Sequence, residues 1–219
     1  MNDVELKAYI TQTAIAEYFK KTGTLMVPVN VSNRHIHLDS YAVEVLFGKG
    51  YKLTKQKDLM QPGQFACKET VTIRGPKGFI PNVRILGPER NATQVEISKS
   101  DSFKLGVSPM IRMSGDIDNT PGIILEGPAG KLGIKKGVIV ARRHLHVPAQ
   151  YAALFGLDNG STVSLVSMDE RRPSVLLEVA VRISDKFLLE SHVDMDEANG
   201  CGISNGDLCR VYKEGSFKG

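Results

Sequence analysis

The 219-residue chain has no tryptophan, three cysteines, five histidines and only 6% aromatic residues, and each shortage removes a class of function. Its lysines are scattered without an interleaved aromatic platform on which bases could stack, and a formal net charge of +4 is modest. Nucleic acid is therefore not an expected partner, while small anions remain open. Cys67, Cys201 and Cys209 are odd in number and form no C-x-x-C, which argues against a disulfide framework and against a thiolate zinc knuckle. Buried, idle thiols are the expectation. No apolar run approaches the ~20 residues that span a bilayer. Residues 1–20 alternate acidic, polar and apolar groups where a signal peptide would carry an apolar core. These absences lead to the expectation of a soluble, cytoplasmic protein with no membrane partner. With 24% charged and 42% hydrophobic residues, the length suits one large domain or two small ones, each with its own core.

What is present is mostly β pattern. Leu6, Ile10, Ala14 and Tyr18, with Tyr9 and Phe19 beside them, mark one face of a helix ending near Lys20-Lys21-Thr22-Gly23. Beyond it the period changes to two. Residues 25–31, 70–73, 83–86, 95–97, 123–125, 138–140, 162–166, 175–183 and 208–212 are short, β-branched runs bounded by turns. GPKG at 75–78 and GPAG at 127–130 lie between such runs with no following Lys-Ser/Thr, so they read as hairpin turns rather than phosphate loops. Asn159-Gly160 is a further hairpin signal.

Repetition organises the chain. Val29-x-Val31-x-x-Arg34-His35-x-His37 aligns without gaps on Val138-x-Val140-x-x-Arg143-His144-x-His146, and each copy precedes an apolar helical stretch ending in Leu-Phe-Gly, at 46–48 and 154–156. With small gaps, Val83-Arg84-Ile85 matches Val181-Arg182-Ile183, and Glu96-Ile97-x-x-x-Asp101 matches His192-Val193-x-x-x-Glu197. In a strand, residues i and i+2 share a face, so each H-x-H offers two imidazoles to one divalent ion. The duplication supplies a third donor in each half, Glu96 for His35 and His37, and His192 for His144 and His146. Three protein donors with an open position is the pattern of catalytic zinc, and the tally uses every histidine in the chain. Nitrogen and carboxylate donors without thiolate suit zinc; cobalt, nickel or iron(II) could take the same set.

If the halves pack face to face, the triads form a two-metal centre. Two divalent ions bring four positive charges and Glu96 removes one, so three remain before solvent ligands, a centre that attracts phosphate. Arg34, Arg84, Arg90 and Arg143 are close to the donors in sequence, and a guanidinium can grip phosphate through two parallel hydrogen bonds. Arg90, just before Glu96 in GPERNATQVE, is the preferred oxyanion binder.

At these residues the chain resembles the PduL-type phosphotransacylases, or phosphate propanoyltransferases. The matching stretches are VSNRHIHL at 31–38, QPGQFACKETVTIRGPKG at 61–78, NVRILGP at 82–88, TQVEIS at 93–98, RMSGDIDNTPGI at 112–123, GVIVARRHLHV at 137–147 and DMDEAN at 194–199. The resemblance runs from about residue 25 to the end. It implies a mainly β fold of two small β-barrels with short capping helices and the N-terminal helix, around two Zn2+ ions. Residues 1–23 would be the helix, 24–33 plus 142–219 one discontinuous barrel, and 34–141 the other, with a lid insertion at about 48–68. It implies reversible conversion of a short acyl-CoA and phosphate to acyl phosphate and CoA. The metal donors it implies are His35, His37 and Glu96 for one ion and His144, His146 and His192 for the other. Arg90 would bind phosphate and serve in catalysis, Ser32, Lys57 and Arg84 would contact CoA, and Gln61-Pro62-Gly63 would belong to the lid. Chemistry suggests direct attack of metal-held phosphate on the thioester, with neither Cys67 nor Ser32 as nucleophile. The family also includes cargo of bacterial microcompartments, so a compartment lumen stays open as a location, as do a homo-oligomer and an encapsulating role for the first helix. Acetyl against propanoyl preference is equally open.

Two rival readings remain at this stage. Cupin-like metal oxygenases or isomerases also place H-x-H, Glu and His in β-barrels, but their glutamate follows H-x-H within a few residues, whereas Glu44 is seven beyond His37 and the second copy has Ala153. The other is a structural metal-binding or shell-associated protein without catalysis.

Overall fold

The computed structural model describes residues 3–213 and 216. In chain order the elements are α1 (Asp3–Thr22), β1 (Leu25–Ser32), β2 (His35–His37), α2 (Ser40–Phe47), β3 (Lys55–Asp58), β4 (Phe65–Arg74), β5 (Phe79–Gly87), β6 (Gln94–Glu96) and α3 (Lys99–Leu105). They continue with β7 (Met110–Arg112), β8 (Ile123–Glu126), β9 (Lys131–Ile134), β10 (Val138–Ala141), β11 (His144–Val147), α4 (Ala149–Phe155), β12 (Thr162–Val166), β13 (Val175–Ile183), β14 (Glu190–Asp194), α5 (Met195–Cys201) and β15 (Leu208–Lys213). The fold is mainly β. Among the described residues, no helix is long and apolar enough to cross a membrane.

The chain divides into two units, one of residues 1–32, 60–62 and 142–219, the other of 33–59 and 63–141. In the first, six strands close into a barrel in the order β1-β14-β11-β13-β12-β15. Leu25, Val27 and Val29 alternate inward along β1 and join Leu145, Val147, Val163, Leu165, Val179 and Val181 in its core. Ile15 and Ala16 of α1 add to that core, whereas Leu6, Tyr9 and Ile10 stay exposed. In the second unit a nine-stranded sheet runs β7-β10-β6-β2-β5-β4-β8-β9, with β3 paired to β4. Its core is Ile36, Leu38, Leu46, Ile73, Ile85, Leu105 and Leu125, all fully buried.

GPKG and GPAG close the β4–β5 and β8–β9 hairpins, each through a backbone N–H to C=O bond between the outer glycines. Asn159-Gly160 does not make a hairpin. It lies in the turn from α4 to β12, where the Asn159 side chain accepts from the Ile183 backbone N–H and so ties that turn to the end of β13.

The duplication is a structural repeat. β1 pairs in parallel with β14 and β10 pairs in parallel with β6, so the leading strand of each copy lies beside the strand that carries a third donor. β2 runs antiparallel to β6 with His35 opposite Glu96, and β11 runs antiparallel to β14 with His144 opposite His192. Each third-donor strand leads into a short helix closed by a capping box, Ser98 with Asp101 on α3 and Asp194 with Glu197 on α5. Both helices end on a left-handed glycine, Gly106 and Gly202, at φ 73° and 66°, where a side chain would be strained. The gapped part of the alignment needs one correction. Parallel pairing sets Arg84 opposite His35 but Ala180 opposite His144, so the equivalent of Arg84 is Ala180, and Arg182 lies opposite His146. The shift is two residues, which preserves the face of the strand and so left the periodicity intact.

Candidate metal centres

Each H-x-H pair lies on a short buried strand with its third donor directly across the ladder. In the sheet unit, donor atoms of His35, His37 and Glu96 lie within 4.8 Å of one another; in the barrel unit, those of His144, His146 and His192 do so. Among the described residues these are the only such groups of three.

The sheet triad is charged. His35 Nδ1 is 2.8 Å from the Asn33 carbonyl oxygen, which can only accept, so the proton sits on Nδ1 and Nε2 turns to Glu96 at 3.4 Å. Glu96 Oε1 accepts from Gln94 Nε2 at 2.6 Å and from the Ser114 hydroxyl at 2.8 Å. Arg90 Nη1 donates to the same Ser114 oxygen at 3.0 Å, which links an arginine to a donor carboxylate through one side chain. Burial acts to lower the His35 pKa, but the Glu96 carboxylate outweighs it and raises it. Burial acts to raise the Glu96 carboxyl, and His35, then His37 and the Ser114 hydroxyl, overcome it and hold it below the usual carboxylate range. Burial, with the nearby His35 ring and the Arg90 guanidinium, pushes His37 down to about 3, so it is neutral at neutral pH.

The barrel triad holds three imidazoles. His144 Nδ1 donates to the Arg142 carbonyl at 2.9 Å, the repeat counterpart of His35 and Asn33. The three rings lie 4.7 to 4.8 Å apart between centroids, and His146 stacks on Phe187 at 3.8 Å. Burial, the His192 and His144 rings and the Arg182 guanidinium hold His146 down at about 2. Both nitrogens of His146 are buried with no hydrogen-bond partner. Leaving a buried polar atom unsatisfied costs about 1–3 kcal/mol, and coordination through one ring nitrogen would remove that cost at the coordinating atom. Oriented imidazoles, joined in the sheet set by one ionised carboxylate and in neither set by a thiolate, fit a divalent ion such as zinc in both places.

The arginines divide by role. Arg34 Nε bonds Asp101 at 2.8 Å and Arg143 Nη1 bonds Glu197 at 2.6 Å, so the arginine of each repeated motif braces the capping box of the helix after its third donor. Arg84 Nη1 donates to the Cys67 and Lys68 carbonyls, both at 2.8 Å. Arg90 is the arginine of these four that is tied to a donor. Ser32 ends β1 in the barrel unit opposite Asp194, and Lys57 is exposed on β3 in the sheet unit. Gln61 is buried and belongs to the barrel unit, where it bonds Leu188 and Glu190. Burial pushes the Cys67 thiol up to about 11, which is opposite to what a nucleophile needs. Sequence reasoning passed over Gln94, Ser114 and Glu190. Gln94 and Glu190 each precede a third donor by two residues on the same strand face, and that parity was the available signal.

The sequence profile of the phosphate propanoyltransferase family matches residues 28–204. A phosphate propanoyltransferase of Thermotoga maritima is 51% identical over 185 residues, 84% of this chain and 88% of that protein. One from Priestia megaterium is 48% identical over 218 residues, 98% of this chain and 99% of its own length. One from Clostridioides difficile is 46% identical over 188 residues, 86% and 90% of the two chains. Profile and relatives span both H-x-H motifs, and the chain belongs to the phosphate propanoyltransferase family of acyltransferases.

Proposed function

We propose that this acyltransferase interconverts a short-chain acyl-CoA, propanoyl-CoA or acetyl-CoA, and phosphate with acyl phosphate and CoA. His35, His37 and Glu96 hold one divalent ion, and His144, His146 and His192 hold another, with zinc the best match to the donors. When bound, such ions supply Lewis-acid polarisation and stabilise negative charge on oxygen or sulfur. Arg90 binds phosphate, and Ser114 holds Arg90 in place against Glu96. A phosphate oxygen attacks the thioester carbonyl carbon, the carbon–sulfur bond breaks, and its electron pair leaves on sulfur as the CoA thiolate. With all five histidines taken up as metal donors, none is left to activate Ser32 or Cys67 as a nucleophile, and attack is direct. Ser32, Lys57 and Arg84 contact CoA.

The observation that supports this reading is the Arg90–Ser114–Glu96 chain, which ties a guanidinium to the carboxylate of a candidate donor set inside one unit. Neither a cupin-like oxygenase nor a structural metal site needs it. The test is release of free thiol from propanoyl-CoA and acetyl-CoA by metal-loaded protein, with and without phosphate and chelator. Release that requires phosphate and stops with chelator is expected; none with any short acyl-CoA ends the reading.

A further inference from the structure

Glu190 is a buried carboxylate that the mechanism above leaves unused. It lies on β14 two residues before His192 and opposite His146 in register. Its two oxygens are separately held: Oε1 accepts from Asn30 Nδ2 at 3.2 Å, and Oε2 accepts from Gln61 Nε2, also at 3.2 Å. Gln61 is fixed in turn, donating to the Leu188 carbonyl at 3.3 Å and accepting from the Leu188 N–H at 3.2 Å. Oε2 lies 3.2 Å from His192 Nε2, so the carboxylate faces that ring nitrogen without making a hydrogen bond to it. No arginine or lysine is paired with Glu190 among the described residues. A buried carboxylate without a cation is costly, so something positive is expected beside it.

The repeat says what that is. The counterpart of the Glu190–His192 pair is Gln94–Glu96, at the same two positions of β6. One unit thus carries amide then carboxylate, the other carboxylate then imidazole. A divalent ion less one carboxylate leaves one positive charge in the sheet site. In the barrel site three neutral imidazoles would leave two, unless Glu190 is counted. With it the two sites match.

We propose that Glu190 is a positioning residue of the barrel metal site: it restrains the His192 ring and supplies the negative charge that Glu96 supplies in the sheet. Asn30 and Gln61 hold it there. This rests on the reading of His144, His146 and His192 as metal donors. Residues of this kind behind a metal ligand typically change affinity by about 10- to 100-fold.

The experiment uses the full chain with His35→Ala, which removes a donor from the sheet site and leaves the barrel triad to be titrated. Zn2+ affinity is measured by chelator competition, and folding of the metal-free protein by circular dichroism and thermal melting. The His35→Ala protein is expected to bind one Zn2+. Adding Glu190→Gln is expected to weaken binding about 10- to 100-fold without lowering the melting temperature of the metal-free protein. Adding Glu190→Gln with His192→Glu, which copies the Gln94–Glu96 pair, is expected to recover at least tenfold of that loss. If the His35→Ala protein binds no Zn2+, the metal-site reading itself fails. If it binds one and Glu190→Gln leaves affinity within about threefold, the triad stands and the role of Glu190 falls. Weakening that the mirror variant does not recover, or that tracks a lower melting temperature without metal, marks a packing role and also overturns it. Should Glu190→Gln alone not fold, recovery or failure in the mirror variant decides.

Discussion

In the sheet, the residue across from the H-x-H pair is the carboxylate Glu96, with the amide Gln94 two positions before it; in the barrel it is the imidazole His192, with the carboxylate Glu190 two positions before. The backbone scaffold is the same in both: parallel pairing of the leading strand, antiparallel pairing across the donors, a carbonyl fixing the first histidine, an arginine bracing the capping box. What differs is where one negative charge sits. Placed on a donor, it pairs with His35 and raises that ring's pKa; placed one step away, it leaves the triad as imidazoles, with His146 held down at about 2. A duplicated strand ladder can therefore place a carboxylate on the donor position in one half and two residues before it in the other while keeping the same pairing across the donor strands.

The comparison breaks first at the donors. His35→Ala and His144→Ala should each lose one ion per chain and reduce phosphate-dependent thiol release by on the order of 10³-fold, since several kcal/mol of charge stabilisation go with the ion. Elemental analysis beside the rate assay checks this, and retention of two ions in either variant would show that its triad is not a site. Arg90→Ala comes next. Hydrogen bonds to charged groups are worth about 1.5–3 kcal/mol, so kcat/KM for phosphate should fall by roughly 10- to 150-fold with both ions retained. Loss of metal in this variant would mean that Arg90 acts on the Glu96 site through Ser114 rather than on phosphate.

The pH dependence of metal uptake sharpens the difference. In the metal-free protein Glu96 raises the His35 pKa above its ordinary value, so an incoming ion must displace that proton. Affinity at the sheet triad should then fall by up to about tenfold per pH unit as pH drops below the raised pKa. Glu96, held below the usual range, stays ionised over that interval and adds no slope of its own. His146, held down at about 2, has no proton to displace near neutrality. Zn2+ titrations from pH 8 to 6 on His144→Ala protein, which leaves the sheet triad to be read, should show that fall; an affinity that does not change with pH would remove the raised His35 pKa from the account.

How much of this could be read from the sequence follows the same line between backbone pattern and side-chain partner. The H-x-H pairs and the helices after them were legible because strand parity and a gapless repeat fix them, whereas Glu96 and His192, which the fold sets across from those pairs, came from the gapped part of the repeat. β3, with the sequence Lys-Gln-Lys-Asp, and β14, Glu-Ser-His-Val-Asp, carry no apolar alternation, and their polar residues hid them as strands. The two-residue offset between Arg84 and Arg182 was invisible because it preserves parity. Ser114 lies eighteen positions from Glu96, and only the folded chain brings its hydroxyl to that carboxylate.

The smallest expected effect tests the part the two halves share. Arg34 and Arg143 each reach the N3 acid of a capping box, and that acid also accepts from the N-cap backbone N–H, Ser98 in one half and Asp194 in the other. Neutralising it, by Asp101→Asn or Glu197→Gln, keeps the shape but removes the charge that holds the arginine and complements the helix N-terminus. Capping interactions are worth about 0.5–2 kcal/mol, and the arginine is partly exposed in both pairs, so about 1 kcal/mol of stability is the expected loss in each half. Denaturant unfolding of the two variants should show similar losses, with metal content unchanged, because the brace lies on the helix and not on a donor. A loss of metal in one half alone would mean that the braces are not equivalent and that one of them also positions its donor strand.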